Sequence, residues 1–285
     1  MKEPTDLRGR ASAKASTVLP DRDIPQGPSL DYGWWASNGP TAGYLHRLVL
    51  DAAAPGQHED AHPRRIDLHV VGPARAAGYT TAVSTQHGAD CLDLATVTFQ
   101  QDRVFATASV LATRDRGRSD DGVATPPGVL PPDVYRPMIT PSPTLPPVTA
   151  RFQYRPVTPD DLVASRPEWD AVWITPTDES LEGRRFVASA LDCWYPAHFM
   201  RVIRDHLAGH GPLEQPAPTT LAAATLTFTA PTTAYRDLRV ALLANQLTAV
   251  AEGHFFERTE IWSLRGELLA SAELVRRNEN GEAHA

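Results

Sequence analysis

Hydrophobic residues recur along this chain with two different periods, and the pair of periods occurs twice in the same order. Between Thr41 and Ala54 the apolar positions Tyr44, Leu45, Leu48, Val49 and Ala52 follow the three-and-four spacing of one helical face. Pro40 suits the first turn of that helix, and Ala54-Pro55-Gly56 ends it. From Arg65 to Arg114 the period shortens to two, in a stretch rich in Val, Thr and aromatics and broken at Gly72-Pro73, Gly78 and His87-Gly88. Four strands are expected there, near 65–71, 78–86, 91–100 and 103–113. The second set opens with extended segments at 150–154 and 169–174. Phe186–Ala208 follows, helical in its later part and closed by Gly209, and then strands near 219–229, 237–246, 253–263 and 267–276.

The two sets agree in spacing. Asn38 to Pro73 is 35 positions and Asp192 to Pro231 is 39; Pro73 to Ala106 is 33 and Pro231 to Ala270 is 39. A unit of more than a hundred residues is too long for a solenoid repeat. It reads as two fused copies of one small α+β domain, each a long helix followed by an antiparallel meander that wraps it. The division expected is a flexible arm over 1–28, a first unit over 29–114, a linker over 115–149, a second unit over 150–278 and a tail over 279–285. Residues 115–150 hold nine prolines, which fix φ and remove donors, so that stretch is an extended connection and neither helix nor strand. Val134, Tyr135, Met138 and Ile139 favour partial packing of it against the surface.

Composition narrows the class. Hydrophobic residues make up 42% and charged residues 21%, enough for a substantial core in an ordinary globular protein. A net charge of −7 argues against nucleic acid and anionic membrane surfaces, which need a basic patch. No apolar run reaches the roughly 18 residues of a membrane span, and the N-terminus lacks the apolar segment of a secretory signal. Cys91 and Cys193 form neither a disulfide framework nor a metal-ligand spacing, so a reducing cytoplasm is expected. The abundance of Ala, Arg and Pro is in keeping with a GC-rich bacterial genome.

Several residues invite a chemical reading beside a structural one. Asp192 opens a helical stretch, where an aspartate caps backbone N–H groups; the same carboxylate under Trp194 and Tyr195 would have a raised pKa and could serve as a general base. Asn38-Gly39 forms a loop-to-helix turn, and helix N–H groups beside it could polarise a carbonyl. Thr225, Thr227 and Thr229 alternate on one strand face, which either meets solvent or lines a site. Trp34, Trp35 and Tyr44 suit a core or the wall of an acyl pocket. Cys193 is a nucleophile at a helix start or a small buried residue. His198, His206 and His254 show no metal spacing, so no metal is expected. No nucleophile elbow, P-loop or dinucleotide glycine pattern occurs.

The order and the local strings resemble the double-hotdog acyl-CoA thioesterases, the type II or TesB-like group, from about Asp31 to Arg277. NGPTAGYLHRLVLDAA is similar to the first hotdog helix of that family. ALDCWYP is similar to the start of its second helix, where the family carries its catalytic aspartate, and GELLASAELVRR to its closing dG-x-L-x-A-x-x-x-Q strand. The resemblance implies an α+β double hotdog that binds an acyl group on coenzyme A or an acyl-carrier protein, needs no cofactor and forms a homo-oligomer. Its functional Asp, Thr and Gln fall on Asp192, near Leu221 (with Thr219 and Thr220 beside it) and on Leu274. With Asp192, Thr225 and Asn38 as catalytic candidates and Gly39, Trp34, Trp35, Tyr44, Trp194 and Tyr195 as substrate-binding ones, thioester hydrolysis is the leading expectation. The two leucines leave room for a dehydratase, isomerase or cyclase acting on a polyketide-like substrate in specialised metabolism. A non-catalytic acyl-binding protein is the third possibility.

Overall fold

A computed structural model describes residues 28–57, 60–88, 92–114, 125–138, 145–158, 161, 168–207, 209 and 218–279. Expectations for the arm before Pro28, for Ile139, for Cys91 and for the tail beyond Glu279 fall outside the described residues. The chain forms a two-stranded ribbon, β1 (Trp35–Ala36) and β2 (Gly39–Pro40), then helix α1 (Ala42–Ala53). Strands β3 (Ala61–Val70), β4 (Thr80–His87), β5 (Leu92–Gln100) and β6 (Val104–Arg114) follow. The second half has β7 (Phe152–Pro156), β8 (Trp169–Pro176), α2 (Gly183–Ala190), α3 (Ala197–Leu207), β9 (Thr219–Phe228), β10 (Ala241–Ala251), β11 (His254–Trp262) and β12 (Leu268–Asn278).

Ten strands make one antiparallel sheet in the order β4-β5-β6-β3-β9-β12-β11-β10-β8-β7. Each half repeats one plan. Three consecutive strands form a meander, β4-β5-β6 or β10-β11-β12, and the strand before it, β3 or β9, lies beside its last strand, while β8 and β7 extend the sheet beyond β10. A simple four-strand meander, as the alternation suggested, would have set β3 beside β4 and β9 beside β10. The placement of β3 and β9 inside the sheet lets the halves join, through a ladder pairing Arg65 with Thr227, Asp67 with Thr225 and His69 with Ala223.

Gly72-Pro73 after β3 matches Ala230-Pro231 after β9, so a residue of β3 corresponds to the one 158 positions later. Asp67 and Thr225 stand in that relation and also pair with each other, so the pseudo-twofold axis passes between them. Thr225 Oγ1 donates to Asp67 Oδ1 at 2.9 Å.

Alternation sets which face is buried. Along β5, Ala95, Val97 and Phe99 turn inward while Leu94 and Thr96 turn out. Along β9, Ala224, Leu226 and Phe228 are buried between the half-buried Thr225 and Thr227. The helices lie on the inward face, and Tyr44, Leu45, Val49, Leu50 and Ala53 of α1 pack there with Ile66, Leu68 and Phe186. A second apolar cluster sits on the outer face of the second half, where Trp173, Leu242, Ala244 and Trp262 would meet water. Part of the Pro-rich connection covers it. Tyr135 is buried in this cluster, Trp173 Nε1 donates to the Leu130 carbonyl at 3.0 Å, and the Met138 N–H donates to the Tyr154 carbonyl at 2.8 Å. Val134 stays 58% exposed, so among the described residues expected to pack it is the one that does not.

The stretch Phe186–Ala208, expected to be helical in its later part, holds α3 there and most of a further helix, α2, before it. The turn Leu191–Pro196 separates α2 from α3, and Asp192 there has a left-handed φ of 63°. That conformation ends α2, at a position where glycine, asparagine or aspartate is tolerated. Helices α1 and α2 pack tightly at Gly43. A Cβ on Gly43 would lie 2.3 Å from the Leu191 carbonyl oxygen and 2.4 Å from that of Ser189, both backbone atoms.

Gly43→Ala therefore forces the two helices apart. Overpacking against backbone should cost about 3 kcal/mol or more, seen as a lower denaturation midpoint at unchanged denaturant slope.

His46, on the buried face of α1, has Nδ1 2.7 Å from the Ala42 carbonyl, and Nε2 finds no hydrogen-bond partner. Burial lowers its pKa from 6.5 to about 4. The folded state therefore binds this proton less readily than the unfolded chain. The penalty is absent above about pH 6.5, grows as the pH falls, and is complete below about pH 4 at ~3 kcal/mol. His46→Phe should flatten the fall in unfolding free energy between pH 6.5 and 4, measured by urea titration at several pH values.

Candidate active site at the junction of the two halves

Four backbone N–H groups at the start of α1 need acceptors, as at any helix N-terminus. The first half supplies two: Thr41 Oγ1 accepts from Tyr44 N–H at 3.2 Å, and the Trp34 carbonyl accepts from the Thr41 N–H at 3.1 Å. The other two come from the second half. The Leu191 carbonyl accepts from Gly43 N–H at 3.0 Å, and Asp192 Oδ2 accepts from Ala42 N–H at 3.2 Å. Asp192 thus caps a helix, but that helix is α1 of the opposite half and not the one that follows it in sequence. All four donors are committed to protein acceptors, so the expectation that they receive a substrate carbonyl meets a full complement of partners.

The Asp192 side chain is only 5% exposed. Its other oxygen, Oδ1, accepts from Nη2 of Arg276. Arg276 in turn donates from Nε to Glu257 Oε2 at 2.7 Å. Glu257 Oε1 accepts from the His198 backbone N–H at 3.2 Å and faces His198 Nδ1 at 2.9 Å. His198 lies in the first turn of α3 and stacks on Phe255, with ring centroids 4.5 Å apart. Each of two helix N-termini therefore meets a carboxylate, and one guanidinium bridges the two carboxylates.

Strand geometry brings Arg276 to this point. Ala272, Leu274 and Arg276 alternate on the inward face of β12. A register shift between Val275 and Arg276 sets Arg276 opposite Leu221 of β9, while Leu274 lies opposite Ala224. Leu221 and Leu274, near and at which the resemblance sets a Thr and a Gln, thus stand beside the arginine. Burial raises the Asp192 carboxyl above the usual aspartate value, with Arg276 and the Ala42 N–H opposing it. Burial also pushes Glu257 up, but Arg276 and His198 outweigh it and hold that carboxyl at about 2.

The expected site residues separate into two groups. Asn38 and Gly39 lie near Asp192, in the β1–β2 ribbon that leads into α1. Asn38 Nδ2 donates to the Thr219 carbonyl at 3.2 Å, tying the ribbon to the start of β9. Gly39 has open space where a side chain would project. Trp194 and Tyr195 belong to the Asp192 turn. Trp194 packs on Tyr154, which fixes the turn by donating to the Cys193 carbonyl at 2.7 Å, and Tyr195 stacks on Phe199.

The rest lie elsewhere. Thr225 projects from the opposite face of the sheet, alongside Asp67 and Glu273, because its parity along β9 is that of the outward residues. Trp34 and Tyr44 are sealed in the core in a stacked pair 5.8 Å apart, with Phe152 edge-on and Arg47 over the Trp34 ring at 4.4 Å. They do not wall an open pocket. Trp35 remains half-buried beside Tyr32. Cys193 is buried, and burial followed by the charge of Asp192 drives its thiol pKa well up, the reverse of what a nucleophile needs.

Arg276 and Glu257 escaped the sequence reading, and His198 was weighed only as a metal ligand. One signal was present: a charged residue in an inward register of an otherwise apolar strand. Among the described residues no group of three or more His, Cys, Asp or Glu side chains is placed to hold a metal ion. No described helix is long and apolar enough to cross a membrane.

No protein-family model matches the chain, and no curated protein matches its sequence. Its structure does have relatives. A hot-dog-fold protein of unknown function from Alicyclobacillus acidocaldarius superposes with a TM-score of 0.74 at 19% identity, over 90% of this chain and 92% of that one. A candidate thioesterase II from Thermobifida fusca gives 0.69 at 18% identity, over 87% and 91%. The acyl-CoA thioesterase II TesB2 of Mycobacterium marinum gives 0.64 at 16% identity, over 83% and 88%. Two helix-on-sheet halves joined at β3 and β9, together with these likenesses, make the chain a double hotdog.

Proposed function

We propose that this chain hydrolyses an acyl thioester, carried on coenzyme A or on a carrier-protein pantetheine, at the junction of its two halves, with Asp192 activating the attacking water. The observation that carries the reading is the buried Asp192 carboxylate, fixed between the N-terminus of α1 and Arg276. A carboxylate with a raised pKa accepts a proton from water more readily than an exposed one. The thioesterase names of two of the structural relatives support the same reaction class. Asn38 and the open side of Gly39 offer a route for the thioester along the β1–β2 ribbon. The exposed Leu92, Leu94 and Val83 leave apolar surface on the first half, in keeping with a homo-oligomer. We place the reaction in the cytoplasm, where buried Cys193 would stay reduced.

Leu221 and Leu274 support a second reading. They stand where the resembling family has Thr and Gln, so water would have fewer polar partners beside Asp192. A dehydration or isomerisation of the acyl group needs only the acid–base carboxylate.

Thiol release from short, long and aromatic acyl-CoAs distinguishes these readings. Hydrolysis predicts release by the wild type and a loss of roughly 100-fold or more in Asp192→Asn. Altered acyl groups without thiol release point to the second reading. Binding without turnover, unchanged in Asp192→Asn, leaves an acyl-binding protein.

A further inference from the structure

The guanidinium of Arg276 is only partly used by the protein. Nε serves Glu257 and Nη2 serves Asp192, while Nη1 meets no acceptor among the described residues. The side chain is 6% exposed, and Nη1 is not one of the fully buried atoms that lack a partner, so it keeps an open side that an incoming acceptor can reach. A guanidinium is planar and rigid, so an acceptor on Nη1 would sit next to the oxygen that Nη2 already holds. That places it beside the Asp192 carboxylate. The α1 N–H groups that would otherwise polarise a carbonyl are all occupied.

We propose that Arg276, through Nη1, receives the thioester carbonyl oxygen and the negative charge that develops on it. The inference rests on the reading of the chain as an acyl-thioester hydrolase. Water attacks the carbonyl carbon and gives its proton to Asp192, while the C=O electron pair moves onto the oxygen. The C=O bond then re-forms, the C–S bond breaks, and the proton on Asp192 passes to the departing thiolate. The products are the free acid and the thiol.

The negative charge moves from Asp192 to the carbonyl oxygen, and both lie against the same cation. Little charge separation is created where water is scarce, so the donor is most effective in the transition state. Glu257 is a positioning residue: it holds Nε so that the guanidinium stays in place when Asp192 is neutralised. His198 holds Glu257.

The test uses the full chain and two pantetheine thioethers that cannot be hydrolysed, 2-oxooctyl and octyl, with and without a carbonyl. Wild type should bind the ketone at least about tenfold more tightly. Its C=O infrared stretch when bound should fall below the value in water. Arg276→Lys, which keeps the charge but not the fork, should erase that preference and the infrared shift. With the acyl-CoA that wild type hydrolyses fastest, it should lower kcat by roughly 100-fold with KM little changed. Glu257→Gln should lower kcat in the same direction and leave octyl thioether binding intact.

Wild type that hydrolyses acyl-CoA, with Arg276→Lys equal to it in kcat and ketone preference, overturns this inference alone. Wild type that releases no thiol and binds neither thioether overturns the hydrolase reading and the inference together. If Arg276→Lys fails to fold, the wild-type infrared measurement decides: an unshifted stretch in the bound ketone overturns the inference.

Discussion

A carboxylate removed from water must have its charge answered, and the arrangement around Asp192 follows from that requirement. The first answer is the N-terminus of α1, which ties the second half to the first. The second is Arg276, whose several N–H donors serve more than one carboxylate. Glu257 accepts from its Nε and is held by the start of α3. The chain of partners thus runs from one helix N-terminus to another across the inward face of the sheet. Breaking any one link would strand a charge, so the helices, the turn at Leu191–Pro196 and the end of β12 are fixed together.

The outer face of the sheet shows the same economy in apolar terms. In the second half the outward residues include Trp173, Leu242 and Trp262, and the Pro-rich connection lies over them. In the first half the outward positions of β5 and β6 hold Thr96, Thr98, Thr107 and Ser109. Threonine and serine sit beside the exposed Leu92 and Leu94 where the sheet is open, and tryptophan appears where a strap is laid across it. Proline suits that strap because it needs few backbone hydrogen bonds of its own.

Strand positions were legible in the sequence because an inward–outward alternation is local. So was α1, with its stripe and its stop at Ala54-Pro55-Gly56. Strand order was not. The swing of β3 and β9 to the middle depends on which apolar faces meet, and no window of residues records that. The helix after Asp192 was legible as well, whereas α2 before it was not, because its 8 residues give only about two turns of periodicity. Asp192 could be picked out by resemblance, whereas its ionic partner lies 84 residues away in a strand read as routine. Thr225 was drawn into the expected site by its residue type. Parity along β9, a purely geometric fact, sends it to the other face.

The pairing of Asp67 with Thr225 has a consequence for how the two halves diverged. In a dimer of two identical hotdog chains, a residue on the twofold axis can meet only its own copy. An aspartate there would face an aspartate and a threonine a threonine. The unlike pair, with Thr225 donating to Asp67, exists only once both copies share one gene and can change independently. The hydrogen bond at the centre of the sheet is therefore younger than the symmetry it sits on. It is also a contact that splitting the chain back into identical halves would lose.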